Sequence, residues 1–315
     1  MTFQPALNCW YLTGPTASGK SAVGVELAVR LGAEIVSMDS MTLYRHMDIG
    51  TAKPSLVERQ RVLHHLIDVI EPHEEYSLAQ YIEAAHCCIQ DITSRERIVL
   101  FVGGTPLYLK GLLRGIFQGP AADWSFRRQL QQEARQHGPE QLHRRLQEID
   151  PTAAARLHAH DTRRLIRALE IFQLTGRPIS EFQKQFERGT PAGQCRVYVL
   201  DWPRDELYDR INCRVSEMFA HGLVDEVRGL LNGPKPLGKT ARQAVGYREV
   251  VEFLEGRRNL ADTLELVQRH TRQLAKRQNT WFRSLCECRF VSVAGRLDAA
   301  EITRRVFSGH PAAGY

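Results

Sequence analysis

In the first third of the chain, short apolar runs alternate with longer stretches of helical periodicity. Cys9 to Leu12 is one such run, Glu34 to Ser37 a second, and Ile98 to Val102, apolar throughout, a third. Runs of this kind, separated by helical segments, read as parallel strands buried on both faces. A helix is predicted from about Ser21 to Leu31, with Gly32 as the left-handed residue that ends it. Further strands are expected at Arg196 to Leu200 and Arg289 to Val293.

The interval from Trp124 to Glu187 breaks this pattern. It holds no strand-like run and is dense in Arg, Gln, Glu and His. Asp150-Pro151 and Asp161-Thr162 have the form of helix starts, the first with Pro at the opening position, while Gly176 and Pro178 mark a stop. The interval reads as a helical insertion. Arg204 to Leu285 is also predicted to be mainly helical. The expected organisation is a core at 1–118, an insertion at 119–192, a return to the core at 193–295 and a tail at 296–315.

Composition adds little beyond class. A chain of 315 residues that is 43% hydrophobic and 25% charged is globular and long enough for more than one unit. It carries no basic segment followed by an apolar stretch and no apolar run of membrane-spanning length, so a cytoplasmic protein with no membrane partner is expected. The seven cysteines include no paired Cys-x-x-Cys knuckles, which points to free thiols rather than a zinc site. The net charge of +6 points weakly to an anionic partner.

The chemistry begins at Gly14-Pro-Thr16-Ala17-Ser18-Gly19-Lys20-Ser21, between a predicted strand and a predicted helix. This is the spacing of a P-loop, whose glycines let the backbone curl with its N–H groups aimed at phosphate oxygens. Lys20 adds a point charge, the helix N-terminus favours an anion, and Ser21 offers a hydroxyl to Mg²⁺. The fold class is therefore α/β: a P-loop-type parallel sheet flanked by helices, with a mainly helical insertion. A P-loop ATPase also needs an acidic residue at the tip of a second strand. Here Ile98–Val102 ends in Gly103-Gly104-Thr105. The loop thus reads as a grip for a diphosphate rather than as a hydrolytic centre. Ligands of such sheets bind beyond the carboxyl ends of the strands. Asp39 and Thr105 are expected there, although each alone reads as a turn or cap residue.

These segments resemble the bacterial tRNA dimethylallyltransferases. The resemblance runs through the P-loop, Asp39 to Pro54, His64 to Asp68, Gly103 to Lys110, and Arg167 to Phe172 with the Leu-Thr-Gly that follows. It continues through Gly246-Tyr247-Arg248, Thr271 to Gln278 and Thr280 to Arg283. It extends from about Leu12 to Arg283, with the tail after Gly295 outside it. Ser21 stands where several members have Thr, and Pro106 where a small or apolar residue is commoner.

The resemblance implies transfer of a dimethylallyl group from dimethylallyl diphosphate to N6 of adenine-37. That base adjoins the anticodon of transfer RNAs reading codons that start with U. Gly14, Thr16, Ala17, Ser18, Gly19, Lys20, Ser21 and Arg214 would hold the donor diphosphate, with Mg²⁺ on Ser21. Asp39 would be the general base and Thr105 would orient the amine. On the RNA side the resemblance implies Asp39, Ser40, Met41, Thr42 and Thr105, then Arg127, Arg163, Arg164, Leu165, Ile166 and Arg167. It also implies Gln243, Ala244, Val245, Gly246, Tyr247 and Arg248, then Lys276, Arg277, Gln278, Asn279, Thr280, Trp281, Phe282 and Arg283. The partner would be the anticodon stem-loop, and the chain is read as a monomer.

The residues support the RNA side independently. At helical spacing Leu264, Val267, Leu274, Trp281 and Leu285 fall on one side of a C-terminal helix. Arg269, Arg272, Lys276 and Arg283 fall opposite, with no acidic residue from Val267 to Leu285. The insertion carries Arg127, Arg128, Arg144, Arg145, Arg163, Arg164 and Arg167, and is expected to be a second arm on the stem-loop. Two other readings fit parts of the sequence: a small-molecule kinase or ATPase, and an RNA-binding protein switched by nucleotide. The first lacks its acidic strand tip; the second leaves Asp39 and Thr105 without a shared purpose.

Overall fold

A computed structural model describes residues 4–117, 119–183 and 189–308. The chain opens with β1 (Trp10–Thr13), α1 (Lys20–Leu31), β2 (Ala33–Ser37), α2 (Leu56–Arg61) and β3 (His64–His65). It continues with α3 (Leu78–Ser94), β4 (Ile98–Val102) and α4 (Pro106–Arg114). Next come α5 (Trp124–His137), α6 (Pro139–Ile149), α7 (Pro151–Ala154), α8 (Thr162–Thr175) and α9 (Ile179–Phe182). The final stretch holds β5 (Arg196–Asp201), α10 (Arg204–Ala220), α11 (Leu223–Leu231), α12 (Lys239–Arg242) and α13 (Tyr247–Leu254). It ends with α14 (Leu260–Arg283), β6 (Cys288–Ser292) and α15 (Ala299–Ser308). Contacts divide the chain into two units, one of Pro5–Leu113 with Gly189–Tyr315, the other of Arg114–Arg188 with Met1–Gln4.

The larger unit is an α/β fold on a parallel six-stranded sheet of order β3-β2-β4-β1-β5-β6. β1, β2 and β4 are apolar enough to be covered on both faces, and all four residues of β1 are buried. Leu12 and Leu200 pack with Leu27 of α1, Ile211 of α10 and Val306 of α15 in one apolar cluster. Truncating any of the three leucines or Ile211 to Ala would cost about 2–5 kcal/mol. β1 lies between β4 and β5, so the connections leave it in opposite directions and open a crevice beyond its carboxyl end. α1 stops where Gly32 turns left-handed at φ 63°, its N–H returning to the Ala28 and Val29 carbonyls.

Two features lie outside the sequence expectations. β3 is only two residues long and polar, so no alternation reveals it; it joins the sheet beside β2 through Ile35 and His64. Part of the expected tail, Ala299–Ser308, is a helix whose Ile302 and Val306 complete the core over α1. The last residues, 309–315, lie outside the described residues, as does the end of the predicted helical interval at 184–188.

The smaller unit is helical among its described residues. Asp123 caps α5 through the Ser125 and Phe126 N–H groups, Asp150 caps α7 through Ala153, and Asp161 caps α8 through Arg164. Leu130, Leu142, Leu146, Leu165 and Leu169 form its core. α8 ends at Gly176, left-handed at φ 68°.

Candidate active site

The loop after β1 is shaped by backbone that side chains resist. Gly19 caps α1 at φ 89° and offers no side-chain oxygen to the first N–H groups of the helix, which stay available to an anion. Gly14 is required by crowding, because a Cβ there would stand 2.9 Å from the Ser18 hydroxyl and 3.0 Å from the Leu200 carbonyl. Three carbonyls of the loop are tethered by side chains. Trp202 Nε1 donates to the Ser18 carbonyl at 3.0 Å, and Arg210 Nε to the Ala17 carbonyl at 3.0 Å. The Arg210 guanidinium lies 4.3 Å from the Trp202 ring centroid. Lys20 Nζ reaches the Pro15 carbonyl at 2.7 Å. These bonds engage the Pro15, Ala17 and Ser18 carbonyls and fix the loop.

Across the crevice, the ends of β2 and β4 are fastened together. Gly103 brings the β4 loop so close that a Cβ would fall 2.1 Å from the Met38 carbonyl oxygen. The Thr105 N–H donates to that carbonyl at 3.2 Å. The Ser40 N–H donates to the Thr105 hydroxyl oxygen at 3.0 Å. One carboxylate oxygen of Asp39 accepts the Met41 N–H at 2.9 Å, which fixes the side chain in a local turn.

Both ledges line one cavity of about 460 Å³. Thr16, Ala17, Gly19, Lys20 and Ser21 are on one side, Asp39, Thr42 and Gly103 on another, and Arg210 and Arg214 of α10 close it. His64, Pro54 and Glu58 extend it toward α2. A smaller cavity of about 70 Å³ shares Thr16, Ala17 and Arg214 with it and is lined mainly by apolar side chains, among them Ile211, Met218, Leu223 and Leu274. Burial pulls the Lys20 ammonium down to about 8, with Arg214 adding to the effect and the Asp39 carboxylate opposing it. The Arg214 guanidinium is also drawn down by burial, again opposed by Asp39. Asp39, Glu58 and Glu217 all line the cavity with Lys20, Arg210 and Arg214, yet burial still outweighs them at Lys20 and Arg214, so a multivalent anion would favour the charged form of both. Arg210 and Trp202, which shape this site, have no signal in the sequence beyond ordinary positions on a strand end and a helix.

Thr16, Ala17, Gly19, Lys20, Ser21, Asp39 and Arg214 therefore line one cavity, with Thr105 fastened at the adjoining ledge; Gly14 and fully buried Ser18 belong to the same loop but do not line it. The RNA-side residues divide. Leu165, Ile166, Tyr247, Gln278 and Phe282 are buried, so in this structure they are packing residues rather than surface ones. Arg127 and Arg167 both pair with buried Glu170, at 2.8 Å and 2.6 Å. Arg248 pairs with Glu249 at 2.5 Å, and Arg283 with Asp201 at 3.0 Å.

The C-terminal helix turns differently from its predicted face. Its buried stripe is Thr263, Val267, Ala275, Gln278 and Phe282, whereas Leu264, Leu274 and Trp281 are half-buried. Arg272, expected on the open face, is half-buried and donates to Asn212 Oδ1 at 2.5 Å. The cause is packing against two helices, α10 and α13, which widens the covered arc beyond one apolar stripe. Arg269, Lys276 and Arg277 are exposed, and among the described residues no carboxylate pairs with them.

All seven cysteines are free thiols. Among the described residues no cluster of three or more His, Cys, Asp or Glu side chains is placed to hold a metal ion. Nor is any described helix long and apolar enough to cross a membrane.

A glycine-rich loop of P-loop form that faces a carboxylate across a crevice defines a site of the P-loop class. The comparisons with known proteins agree with that class. A family model described as IPP transferase matches residues 42–285. A tRNA dimethylallyltransferase of Rhodopirellula baltica is 48% identical over 286 residues, covering 88% of this chain and 86% of that one. One from Geobacter metallireducens is 47% identical, covering 91% and 93%. The crystal structure of a full-length tRNA isopentenylpyrophosphate transferase from Bacillus halodurans aligns with TM-score 0.70 at 37% identity, over 96% of this chain and 95% of that one. A eukaryotic dimethylallyltransferase captured acting on tRNA aligns with TM-score 0.78 at 25% identity, over 97% and 81%. The chain belongs to the IPP transferase family.

Proposed function

We infer that this protein is a tRNA dimethylallyltransferase, which moves a dimethylallyl group from dimethylallyl diphosphate to N6 of adenine-37 and releases diphosphate. The observation that carries the reading is the meeting of a diphosphate-type loop, Lys20 and Arg214 with Asp39 in one cavity, where β4 ends in Gly103-Gly104 and not in an acidic residue.

In this reading the amine nitrogen attacks the allylic carbon as the bond from that carbon to the diphosphate oxygen breaks. The bonding pair leaves with the diphosphate, and the amine proton passes to the Asp39 carboxylate. Lys20, Arg214 and the loop N–H groups stabilise charge on the leaving group. Thr105 orients the amine, and positioning supplies much of the remaining rate because an exocyclic amine is a poor nucleophile. The small apolar cavity beside Thr16 and Arg214 is a water-poor place for the five-carbon tail.

Mg²⁺ belongs to the proposal. The oxygens on offer, the Ser21 hydroxyl, the Asp39 carboxylate and the diphosphate itself, suit a hard cation that keeps several waters. When bound it would neutralise part of the diphosphate charge. The acceptor is proposed to be the anticodon stem-loop, with the adenine taken out of its stack to reach the cavity. Exposed Arg269, Lys276 and Arg277 on α14, and Arg128 and Arg163 of the helical unit, are proposed to meet phosphates.

Incubating the purified protein with isotope-labelled dimethylallyl diphosphate and unmodified tRNA tests the reading. Label should enter the RNA only when adenine-37 is present. Phosphate release from ATP with no label in RNA would instead identify a nucleotide-hydrolysing enzyme.

A further inference from the structure

We propose that Gln278 is a positioning residue that holds the diphosphate loop and the adenine-side loop at their working separation. The proposal rests on the reaction inferred above.

Gln278 sits on α14 between exposed Arg277 and half-buried Asn279, yet its own side chain turns inward and is only 8% exposed. Its Oε1 accepts the Thr16 N–H at 2.9 Å, and its Nε2 donates to the Gly104 carbonyl at 2.6 Å. One amide therefore spans the crevice, with its carbonyl end on the donor loop and its amino end on the loop that carries Thr105. Lower down, the Thr13 hydroxyl donates to the Gly103 carbonyl at 2.7 Å and ties the strand ends. Gln278 ties the tips, which are the parts that would touch the two substrates.

The chemistry of the bridge is selective. It needs an acceptor at one end and a donor at the other, separated by a planar group, and a primary amide supplies both without charge. An ionised Glu would place an oxygen against the Gly104 carbonyl. The fit is also steric, since a Cβ on Gly104 would stand 2.9 Å from Gln278 Nε2 and 3.5 Å from Lys20 Nζ. Glycine at 104 leaves room for the amide at its own carbonyl and for the Lys20 ammonium close by. Because both polar ends of Gln278 are committed inside the fold, the residue acts on transfer by holding the two loops and not by binding RNA.

The test uses the full chain in single-turnover transfer of labelled dimethylallyl diphosphate to unmodified tRNA. Gln278→Met, of similar length but without hydrogen bonds, should lower the rate at saturating tRNA by about 10–100-fold, the scale of a small misplacement of reactants. Its tRNA affinity and the salt dependence of that affinity should stay within about twofold of the parent. Gln278→Glu should show the same loss at neutral pH and recover part of it, relative to the parent, as the pH falls and the carboxyl regains a donor hydrogen. A residue that only stabilised the fold would show no such recovery, so this variant decides the matter even if the Met variant does not fold. Gly104→Ala, which presses on the amide from the opposite side, should reproduce the rate loss.

Parent-like rates in both Gln278 variants would overturn the proposal. So would weakened tRNA binding with an unchanged saturated rate, which would make Gln278 an RNA contact. Failure of the parent protein to transfer any label would instead refute the reaction.

Discussion

The backbone N–H of Ser40 donates to the hydroxyl oxygen of Thr105 over 3.0 Å, joining residues 65 apart in the chain. Asp39 is thereby seated on a ledge made from the ends of β2 and β4, and the Thr105 hydroxyl, already accepting one hydrogen, keeps its own hydrogen to donate. It points toward Ser40 Oγ at 3.4 Å, a weak partner that a substrate nitrogen can replace. The proposed base and the proposed orienting group are thus fastened to one ledge by the same bond.

That seat separates the chemistry of Asp39 from its structural part. Asn at position 39 still accepts the Met41 N–H, so the local turn survives while the proton acceptor is lost. Asp39→Asn should reduce the single-turnover rate by about 10²–10⁴-fold, the usual weight of general-base catalysis. Its tRNA affinity should change little. Asp39→Ala should be at least as slow, with some loss of order in the turn. Near-normal turnover in the Asn variant would remove Asp39 from proton transfer.

Donor binding should depend on pH through Lys20. Burial holds its ammonium down to about 8, so the free protein loses that charge as the pH rises through this value. A bound diphosphate favours the charged form and raises the pKa again. Binding is therefore strongest below about 8 and must take up a proton above it, which weakens affinity by up to tenfold per pH unit. Calorimetric titration with dimethylallyl diphosphate between about pH 7 and about pH 9.5 checks this. The bend in affinity should vanish in Lys20→Arg, whose guanidinium stays charged throughout. A flat profile in the parent would mean that the ammonium stays charged in the free protein.

Much of the larger unit was legible because its signals are local. An apolar run makes β4, a full glycine motif makes the loop after β1, and Gly32 ends α1 where a left-handed residue is needed. Aspartates ahead of α7 and α8 announce those helices for the same reason. Features set by distant contacts were not legible. β3 exists because Ile35 offers His64 a ladder partner, not because of any pattern at His64. The buried arc of α14 depends on α10 and α13 together, so periodicity alone misplaced Arg272 and Trp281. Gln278 reads as one more polar residue in a basic helix, and only the fold brings Thr16 and Gly104 to its two ends.

Lys276 provides a test of the RNA face that leaves the crevice alone. It is exposed, and its neighbours Arg277 and Thr280 are exposed with it. If it meets a phosphate, Lys276→Ala should weaken tRNA binding and make the slope of log affinity against log salt shallower by about 0.7–0.9, one counterion's worth. The saturated transfer rate should be unaffected. Filter binding across a salt series measures both quantities, and an unchanged slope would place the lysine outside the contact.

Glu170 should govern the stability of the helical unit. Its side chain is fully buried and accepts hydrogen bonds from Arg127 Nε and Nη2 at 2.8 Å each, from Arg167 Nη1 at 2.6 Å and from the Asp123 N–H at 2.8 Å. Burial alone would push its carboxyl up, but the hydrogen bonds from Arg127, Arg167 and Asp123 outweigh it and hold the group below its usual 4.5. Glu170→Gln keeps the shape and removes the charge, leaving two guanidinium groups with a weaker partner. Both arginines keep some access to water, so the expected cost is about 3 kcal/mol, the lower end of the range for breaking a buried pair. The sign of the pH effect follows from the lowered pKa. The carboxylate's contribution is fully present above about 4.5 and fades as acid protonates the folded form, so parent and variant should converge in stability as the pH falls. Urea unfolding followed at neutral and acid pH measures the difference. A gap that stays constant into acid would mean that the charge of Glu170 contributes nothing to the fold.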